Sequence, residues 1–396
     1  MTLSDICELI VDCPHSTAKD EGAGYPLIRT PNIGRGRLIL DDVHRVSKDI
    51  YDKRNARAIP QDDDLILARE APAGNVAIIK NGEQVCLGQR TVLIRPDKRK
   101  VYPDFLVYYI LAPQQQYELL GTANGATVAH VNIPVIKALP VELPAIEVQQ
   151  KAADILKAYD DLIENNQKQI KLLEEAAQRL YKEWFVDLHF PGCVETEFVD
   201  GVPEGWQACS LDDVIDFNPK LTLDKERIKE SVPMSALSTS SMVLDSREFT
   251  KTMSNSGSKF QNGDTLLARI TPCLENGKTG FVDNIESPEG AVGSTEFIVM
   301  RSKRLNPYMV YLLSRTEDFR KTAINSMTGS DGRQRAQVNK IKSYSYVLPP
   351  QDIISAFGKN VEPIFLKISK CNRYCKELAE ARDRLLPKLM SGEIEL

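Results

Sequence analysis

Apolar positions along this chain follow two different periods. Between residues 25 and 144, short apolar runs are separated by Gly, Pro, Asn and Asp, which is typical of strands. The predicted strands are 38–40, 65–67, 76–79 and 91–94. Residues 104–111 and 308–320 have helical spacing instead. We therefore expect each globular part of the chain to mix α-helices and β-strands.

Two longer stretches, after residue 144 and after residue 350, carry apolar residues at alternating spacings of four and three. This spacing is typical of a coiled coil, and a helix of some 35–40 residues would span roughly 50–60 Å. We expect the two stripes to pack on each other, although packing on the chain's own domains is the alternative. The predicted contact residues are Ile155, Tyr159, Leu162, Leu173 and Leu180 in the first helix and Val361, Ile364, Ile368, Leu378 and Leu385 in the second.

Several residues interrupt these stripes. Asn166 and Gln169 lie in the first stripe. A buried polar pair at these positions would fix the register of the two helices more than it would stabilise them. Arg382 lies in the second stripe. Pro363 removes a backbone donor, so it should kink the second helix or mark its true start.

A pattern in the first half of the chain returns in the second. Residues 62–69 resemble 263–269, residues 103–109 resemble 307–311, and Val131-Asn132 resembles Val338-Asn339. Paired positions are about 200–207 residues apart, which indicates a duplicated unit. The predicted organisation is a first domain over 1–144, a long helix over 145–190, a second domain over 191–349 and a second long helix over 350–396.

The composition is that of a globular protein, with 396 residues, 42% of them apolar and 27% charged. No run of eighteen apolar residues and no signal segment occurs, so we expect a cytoplasmic protein without membrane contact. The net charge of −5 disfavours a nucleic-acid partner at first sight. Lys and Arg nevertheless outnumber Asp and Glu by 15 to 10 over 25–100 and by 14 to 10 over 247–340, while 186–230 has 4 against 11. This segregation is compatible with DNA binding.

Catalytic and metal-binding motifs are not recognisable in the sequence. The eight cysteines and four histidines form no ligand spacing, so no metal site is predicted. Gly277-Lys278-Thr279 resembles the end of a phosphate-binding loop, but Pro272 stands where that loop needs glycine. Asn218-Pro219-Lys220 lacks the second proline and the aromatic residue of an amino-methyltransferase motif. We expect a chain that is not catalytic by itself.

Loops after the predicted strands carry residue types that read bases. Arginine can donate two hydrogen bonds to guanine, and asparagine can bridge adenine. Strand-end arginines also often cap carbonyls or pair with acids, which is the alternative for each of them. The candidate DNA-binding residues are Arg69, Asn75, Arg90, Asn124, Thr127, Arg269, Asn276, Lys278, Arg333 and Arg335.

Taken together, the chain resembles the specificity subunits of type I restriction-modification systems. The resemblance rests on GDTLLARITPCLENGKTG (263–280), GSTEFIVMRS (293–302), MTGSDGRQRAQVNKIKSYSYVLPP (327–350) and AAQRLYKEWFVDLHFPG (176–192). The first long helix keeps the acidic-glutamine opening common in that family, Glu147-Val148-Gln149-Gln150. The second departs from it with Gln351-Asp352-Ile353-Ile354, so an irregular start is expected there.

The resemblance implies an α+β fold of two duplicated mixed α/β target-recognition domains. They would be related by a pseudo-two-fold and separated by two long antiparallel coiled-coil helices. Each domain would read half of a bipartite double-stranded DNA target. Methyltransferase subunits would dock on the helices and carry S-adenosylmethionine, while a restriction subunit would supply ATP- and Mg-dependent translocation and cleavage.

Two other functions stay open at this point. A coiled-coil scaffold or interaction protein without a DNA role would explain the long helices, and its binding would be insensitive to salt. A self-sufficient restriction or modification enzyme would require a cofactor or nuclease motif.

Overall fold

A computed structural model describes residues 1–121, 130–330 and 332–396 of the chain. These residues divide into two units. Unit 1 comprises Met1–Ile163 together with Glu377–Leu396, and unit 2 comprises Glu164–Lys376. Each of the two long helices therefore contributes one part to unit 1 and another to unit 2.

Unit 1 is built on a five-stranded sheet of order β1-β8-β5-β6-β3, beside a three-stranded sheet of order β4-β2-β7. Among the described residues of this unit, only the pairs β3–β6 and β2–β7 are parallel. The strands of this unit are β1 Cys7–Asp12, β2 Tyr25–Ile28, β3 Gly36–Arg37, β4 Arg45–Val46, β5 Leu65–Ala68, β6 Val76–Ile78, β7 Cys86–Leu87 and β8 Thr91–Pro96. Its helices are α1 Lys48–Arg54, α2 Pro103–Leu111, α3 Pro113–Leu120, α4 Ile133–Ala138, the first part of α5 Ile146–Phe185 and the last part of α10 Gln351–Met390.

Strand β5 shows why this sheet is apolar on both faces. Side chains alternate between the faces of a strand. Leu65 and Leu67 belong to the core that contains α2, whereas Ile66 and Ala68 belong to the core on the opposite face. All four residues are buried, so the sheet lies between two apolar layers.

Unit 2 has a four-stranded sheet of order β12-β19-β16-β17 and a second sheet of order β14-β13-β18-β15. The strands of this unit are β9 Phe198–Val199, β10 Val202–Pro203, β11 Gln207–Ser210, β12 Ile215–Phe217, β13 Lys229–Val232, β14 Thr250–Thr252, β15 Ser258–Phe260, β16 Thr265–Ala268, β17 Thr279–Phe281, β18 Ala291–Gly293, β19 Phe297–Ser302 and β20 Ser345–Leu348. Its helices are α6 Leu211–Val214, α7 Pro307–Ser314, α8 Glu317–Asn325, α9 Val338–Lys342, the last part of α5 and the first part of α10 Gln351–Met390. Strand β16 is again buried at every residue, with Leu267 facing one core and Leu266 the other.

The repeated Asp residue before the central strand has the same structural role in both units. Asp64 accepts two hydrogen bonds from Arg95, at 2.8 and 2.7 Å, and one from the Gln61 amide. Asp264 accepts the corresponding bonds from Arg301, at 2.7 and 2.6 Å. Because buried carboxylates need such partners, this part of the repeated motif maintains the fold.

The long helices α5 and α10 are each 40 residues long and pack together in an antiparallel manner. In unit 2, Tyr181 of α5 contacts Phe357 of α10, with ring centroids 6.0 Å apart, and Gln169 lies beside Cys371. In unit 1, Asp160 of α5 accepts a hydrogen bond from Arg382 of α10 at 2.5 Å. The arginine that interrupts the predicted stripe is therefore paired.

Four predictions about elements need correction. The segment 38–40 is not a strand, because the chain pairs with β6 earlier, at Gly36–Arg37. The single helix predicted over 308–320 is two helices, α7 and α8, since the chain leaves the helical path at Arg315 and Thr316. Pro363 does not mark a helix start, because α10 begins at Gln351. That helix also starts regularly despite its departure from the family opening.

The first predicted helical stripe is displaced around the helix in unit 1. Ile155 and Leu162 are 36% and 50% exposed, whereas Ala152, Leu156 and Asp160 are buried. The buried face includes a carboxylate, which a search for apolar spacing passes over. Tyr159 is half-buried beside this face.

Further along the two helices, the predicted contact residues lie on or beside the buried face. Leu173 and Leu180 are partly buried against the unit 2 core, as is Ile364, while Val361 and Ile368 are fully buried there. Leu378 is half-buried, and Leu385 packs against the unit 1 core.

No helix in the described part of the chain combines the length and apolar character needed to cross a membrane.

Candidate nucleic-acid interface

A groove of about 520 Å³ lies in unit 2 at the end of the central strand β16. The loop after β12, strand β15, the end of β16 and strand β19 supply its walls. Three cations line it, Lys220, Lys259 and Arg269, together with the exposed Thr295. Within the described residues that line the groove there is no carboxylate. Such a surface attracts a polyanion and offers donors to bases and phosphates.

Local backbone geometry positions the first wall of the groove. Asn218 has a positive φ of 51°, a conformation that asparagine tolerates better than most residues. Its amide donates to the Val299 carbonyl at 2.7 Å, and its side-chain oxygen accepts from the Val299 amide at 2.9 Å. The turn is thereby fixed to β19, and Lys220 is presented at its exposed end.

Arg269 is the predicted base reader that faces this groove. Its backbone amide donates to the Glu296 carbonyl at 2.9 Å, while its side chain is 31% exposed. The nearest carboxylate oxygen, on Glu296, is 3.8 Å from Nε, beyond hydrogen-bonding distance. Arg335 occupies that carboxylate instead, with bonds of 2.7 to 3.0 Å, and these bonds lower the pKa of Glu296. Nε itself is buried without a hydrogen-bond partner among the described residues, so a ligand would meet the exposed part of the Arg269 side chain.

Arg69 stands at the corresponding strand end of unit 1 in a different environment. Its side chain donates to Asp12 at 3.0 and 3.1 Å and to the Val131 carbonyl at 2.9 Å, and its Nη2 lies 2.7 Å from His130 Nε2. The residue is only 8% exposed. These contacts favour a structural role for Arg69, and its predicted contact with DNA stays untested.

Of the remaining DNA-binding candidates in unit 1, the structure describes Arg90 and Asn75, and both have a partner within the chain. Arg90 is exposed, has a φ of 62° and pairs with Glu70, whose other oxygen lies 2.7 Å from His130 Nδ1. Asn75 is half-buried and donates to the Ile33 carbonyl at 3.0 Å. Asn124 and Thr127 lie outside the described residues.

In unit 2 the remaining candidates lie on two loops beside Arg269. Lys278 donates to the Met234 carbonyl at 3.0 Å, and Asn276 is exposed. Arg333 is exposed in a loop that is held against the end of β16, where the Thr271 amide donates to the Gln334 carbonyl. The fold therefore brings Arg333 and Arg335 to the same strand end as Arg269.

Sequence reasoning missed two residues of the groove, Lys220 and Lys259. Lys220 belongs to a motif that resembles only a catalytic one, and Lys259 lies in strand β15, away from the loops that carry the predicted base readers. The basic excess over 247–340 was the available signal for Lys259. Among the described residues, no cluster of His, Cys, Asp and Glu could hold a metal ion.

Comparison with known proteins shows which family the chain resembles. The family model described as the type I restriction modification DNA specificity domain matches residues 1–175. The specificity subunit of the type I restriction enzyme MjaIX of Methanocaldococcus jannaschii is 26% identical over 416 residues, covering 100% of this chain and 93% of that protein. The HindI specificity subunit of Haemophilus influenzae is 22% identical, covering 85% of this chain and 88% of its own length.

A solved structure shares the fold. It is the S subunit of a type I restriction-modification system from M. genitalium, with a TM-score of 0.56 at 14% identity, covering 98% of this chain and 95% of that chain. These matches are with proteins of DNA specificity. More particularly, the chain is similar over its whole length to type I restriction-modification specificity subunits, which confirms the resemblance that its motifs carry.

Proposed function

We propose that this chain reads a bipartite double-stranded DNA target, one half with each mixed α/β part. The observation that carries the proposal is the groove of unit 2, which Lys220, Lys259 and Arg269 line and whose described lining contains no carboxylate. In this assignment the lysines hold phosphates, and Arg269 and Arg333 reach base edges. Phosphate contacts position a protein on DNA, and base contacts supply the sequence information.

The two parts are the products of a duplication in this proposal. The sheet order β1-β8-β5-β6 of unit 1 corresponds to β12-β19-β16-β17 of unit 2. The ion pair of Asp64 with Arg95 corresponds to that of Asp264 with Arg301. Both correspondences follow the spacing of about 200 residues in the sequence repeat, which supports two target-recognition domains of common origin.

The long helices serve as docking sites for methyltransferase subunits in this proposal. Apolar side chains point outward on both of them. In unit 1, Ile155 and Leu162 of α5 are exposed. In unit 2, Leu172 of α5 is 64% exposed and Leu366 of α10 is 60% exposed. Exposed apolar side chains at helical spacing are typical of surfaces that bind another protein.

The chain itself contributes specificity without catalysis. Methyltransferase subunits would bring S-adenosylmethionine, and a restriction subunit would bring ATP and Mg, as the resemblance implies. The complex would act in the cytoplasm, where a bacterial or archaeal chromosome is accessible. These assignments all depend on the family relationship.

A binding experiment with the methyltransferase complex tests the proposal. Sequencing of methylated adenines in cells with and without this gene first identifies the target. The purified complex should then shift a duplex that carries both half-sites and release it when either half is scrambled. Equal binding to intact and scrambled duplexes would contradict the DNA-reading role. The alternative function, a coiled-coil scaffold without a DNA role, would then remain.

A further inference from the structure

A buried tyrosine in unit 1 donates a hydrogen bond to a carboxylate of the long helix α5. The Tyr108 hydroxyl of α2 lies 2.7 Å from Asp160 Oδ2, and both residues are 7% exposed. The other oxygen, Oδ1, accepts from Arg382 of α10 at 2.5 Å. One carboxylate therefore joins the globular part of unit 1 to both long helices.

Unit 2 contains the same arrangement around a different carboxylate of α5. The Tyr311 hydroxyl of α7 donates to Glu174 Oε1 at 3.0 Å. Ser241 Oγ donates to Oε2 at 2.7 Å, and the Met242 amide donates to Oε1 at 2.5 Å. Burial raises the pKa of Glu174, and these three hydrogen bonds partly offset that effect.

The two tyrosines occupy corresponding places in the repeat. Tyr108 lies in the helix that follows β8, and Tyr311 lies in the helix that follows β19. They are 203 positions apart, within the spacing of the repeat. Two copies that have diverged elsewhere thus both attach to α5 through a tyrosine hydroxyl and a carboxylate.

A bond of this kind restricts orientation in a way that apolar packing does not. Apolar contacts are non-directional, so a domain could shift along its helix at small cost. A buried carboxylate that loses its donor has a large desolvation penalty, and the hydrogen bond tolerates little change in distance or angle. Each tyrosine therefore holds its domain in one orientation on the helix.

We propose that Tyr108 and Tyr311, through Asp160 and Glu174, restrict the target to one number of base pairs between its half-sites. The inference rests on the proposed function. One extra base pair displaces a half-site by about 3.4 Å and rotates it by roughly 35° around the DNA axis. A domain can follow such a displacement only if its attachment to the helix yields. Tyr108 and Tyr311 are thus positioning residues for gap length.

The test compares Tyr108→Phe with wild type in the purified methyltransferase complex. Methylation kcat/KM is measured on duplexes with the native gap, with one base pair added or removed, and with one half-site scrambled. We expect the preference for the native gap over its neighbours to fall about tenfold, the usual scale for a lost hydrogen bond to a charged group. Discrimination against the scrambled half-site should be kept, because no base contact is removed.

Tyr109→Phe is the matched control. Tyr109 is the next residue of α2, is 4% exposed and accepts a hydrogen bond from the Glu142 amide. The Tyr109→Phe variant also loses a buried hydroxyl of α2, but the partner of that hydroxyl, Glu142, lies outside α5. Its gap preference should therefore equal that of wild type.

Three outcomes decide the matter. A Tyr108→Phe complex that is slower on every duplex by one common factor would overturn the proposal, because the bond would then only stabilise the fold. If that variant does not fold, Tyr311→Phe decides by the same measurement. A wild-type complex that does not distinguish intact from scrambled half-sites would instead overturn the proposed function.

Discussion

Arg69 and Arg269 show how two equivalent residues acquire different properties. Each follows the alanine that ends a central strand, and each donates its backbone amide to the chain just before the neighbouring strand. Arg69 is enclosed by Asp12, His130 and the Val131 carbonyl, whereas Arg269 faces a groove. The difference arises from partners that the repeat does not share.

Replacement of Arg269 by alanine should weaken binding of the intact target by about 1–3 kcal/mol if it reads a base. Its guanidinium makes few contacts within the chain, so the free energy of unfolding should change little. Fluorescence anisotropy with target and scrambled duplexes measures the first quantity, and urea denaturation measures the second.

Arg69→Ala is the counterpart of that experiment. We expect a loss of about 2–3 kcal/mol in the free energy of unfolding, because Asp12 and the Val131 carbonyl lose a charged donor. A stable Arg69→Ala protein with lost sequence discrimination would show that Arg69 also reads DNA.

Among the elements, helix α10 combines a buried face and an exposed face over 40 residues. Phe357, Val361 and Ile368 are fully buried, and Leu366, two residues before Ile368, is 60% exposed. Pro363 is accommodated within this helix. The apolar spacing alone identified the helix correctly but placed two stripe residues one position early, at Ile364 and Leu385, where the buried residues are Phe365 and Leu386.

Ile368→Asp should lower the free energy of unfolding of unit 2 by about 3 kcal/mol or more, because burial of an unpaired charge costs several kcal/mol. Leu366→Asp puts the same charge on the exposed face of α10, and we expect a change within about 0.5 kcal/mol. Thermal and urea unfolding of both variants provide the comparison. Equal effects of the two substitutions would contradict the assignment of the buried face.

For the whole molecule, charge distribution matters more than net charge. The chain carries −5 overall, yet the groove of unit 2 gathers three cations. A polyanion responds to the local field of a groove, which outweighs a small net charge of opposite sign elsewhere. The acidic excess of 186–230 therefore does not argue against DNA binding.

Binding of the methyltransferase complex to DNA should weaken steeply as salt rises, because phosphate contacts release counterions. Lys220→Ala and Lys259→Ala should each reduce the slope of log K against log salt by about 1, equally for target and scrambled duplexes. Lys367→Ala, on an exposed position of α10, is the control and should leave the slope unchanged. A slope that neither groove variant alters would place the phosphate contacts elsewhere.

The sequence predicts a feature well when the residues that determine it are neighbours in the chain, and poorly when they are far apart. Strands β5, β6 and β8 and both long helices were recognisable because their apolar periods are local. The family resemblance was recognisable for the same reason, since its motifs are continuous segments, and the comparisons confirm it. The groove was not recognisable, because Lys220, Lys259 and Arg269 come from three separate elements.

By itself, the sequence determined the central strands of unit 1, both long helices, the similarity between the two halves and the resemblance to a family, because apolar spacing and short motifs are properties of neighbouring residues. Tertiary structure alone decided which arginine stays available and how each domain is attached to its helix. Asp12 is 57 residues from Arg69, and Asp160 is 222 residues from Arg382. Pairing over such distances depends on how the chain folds back on itself.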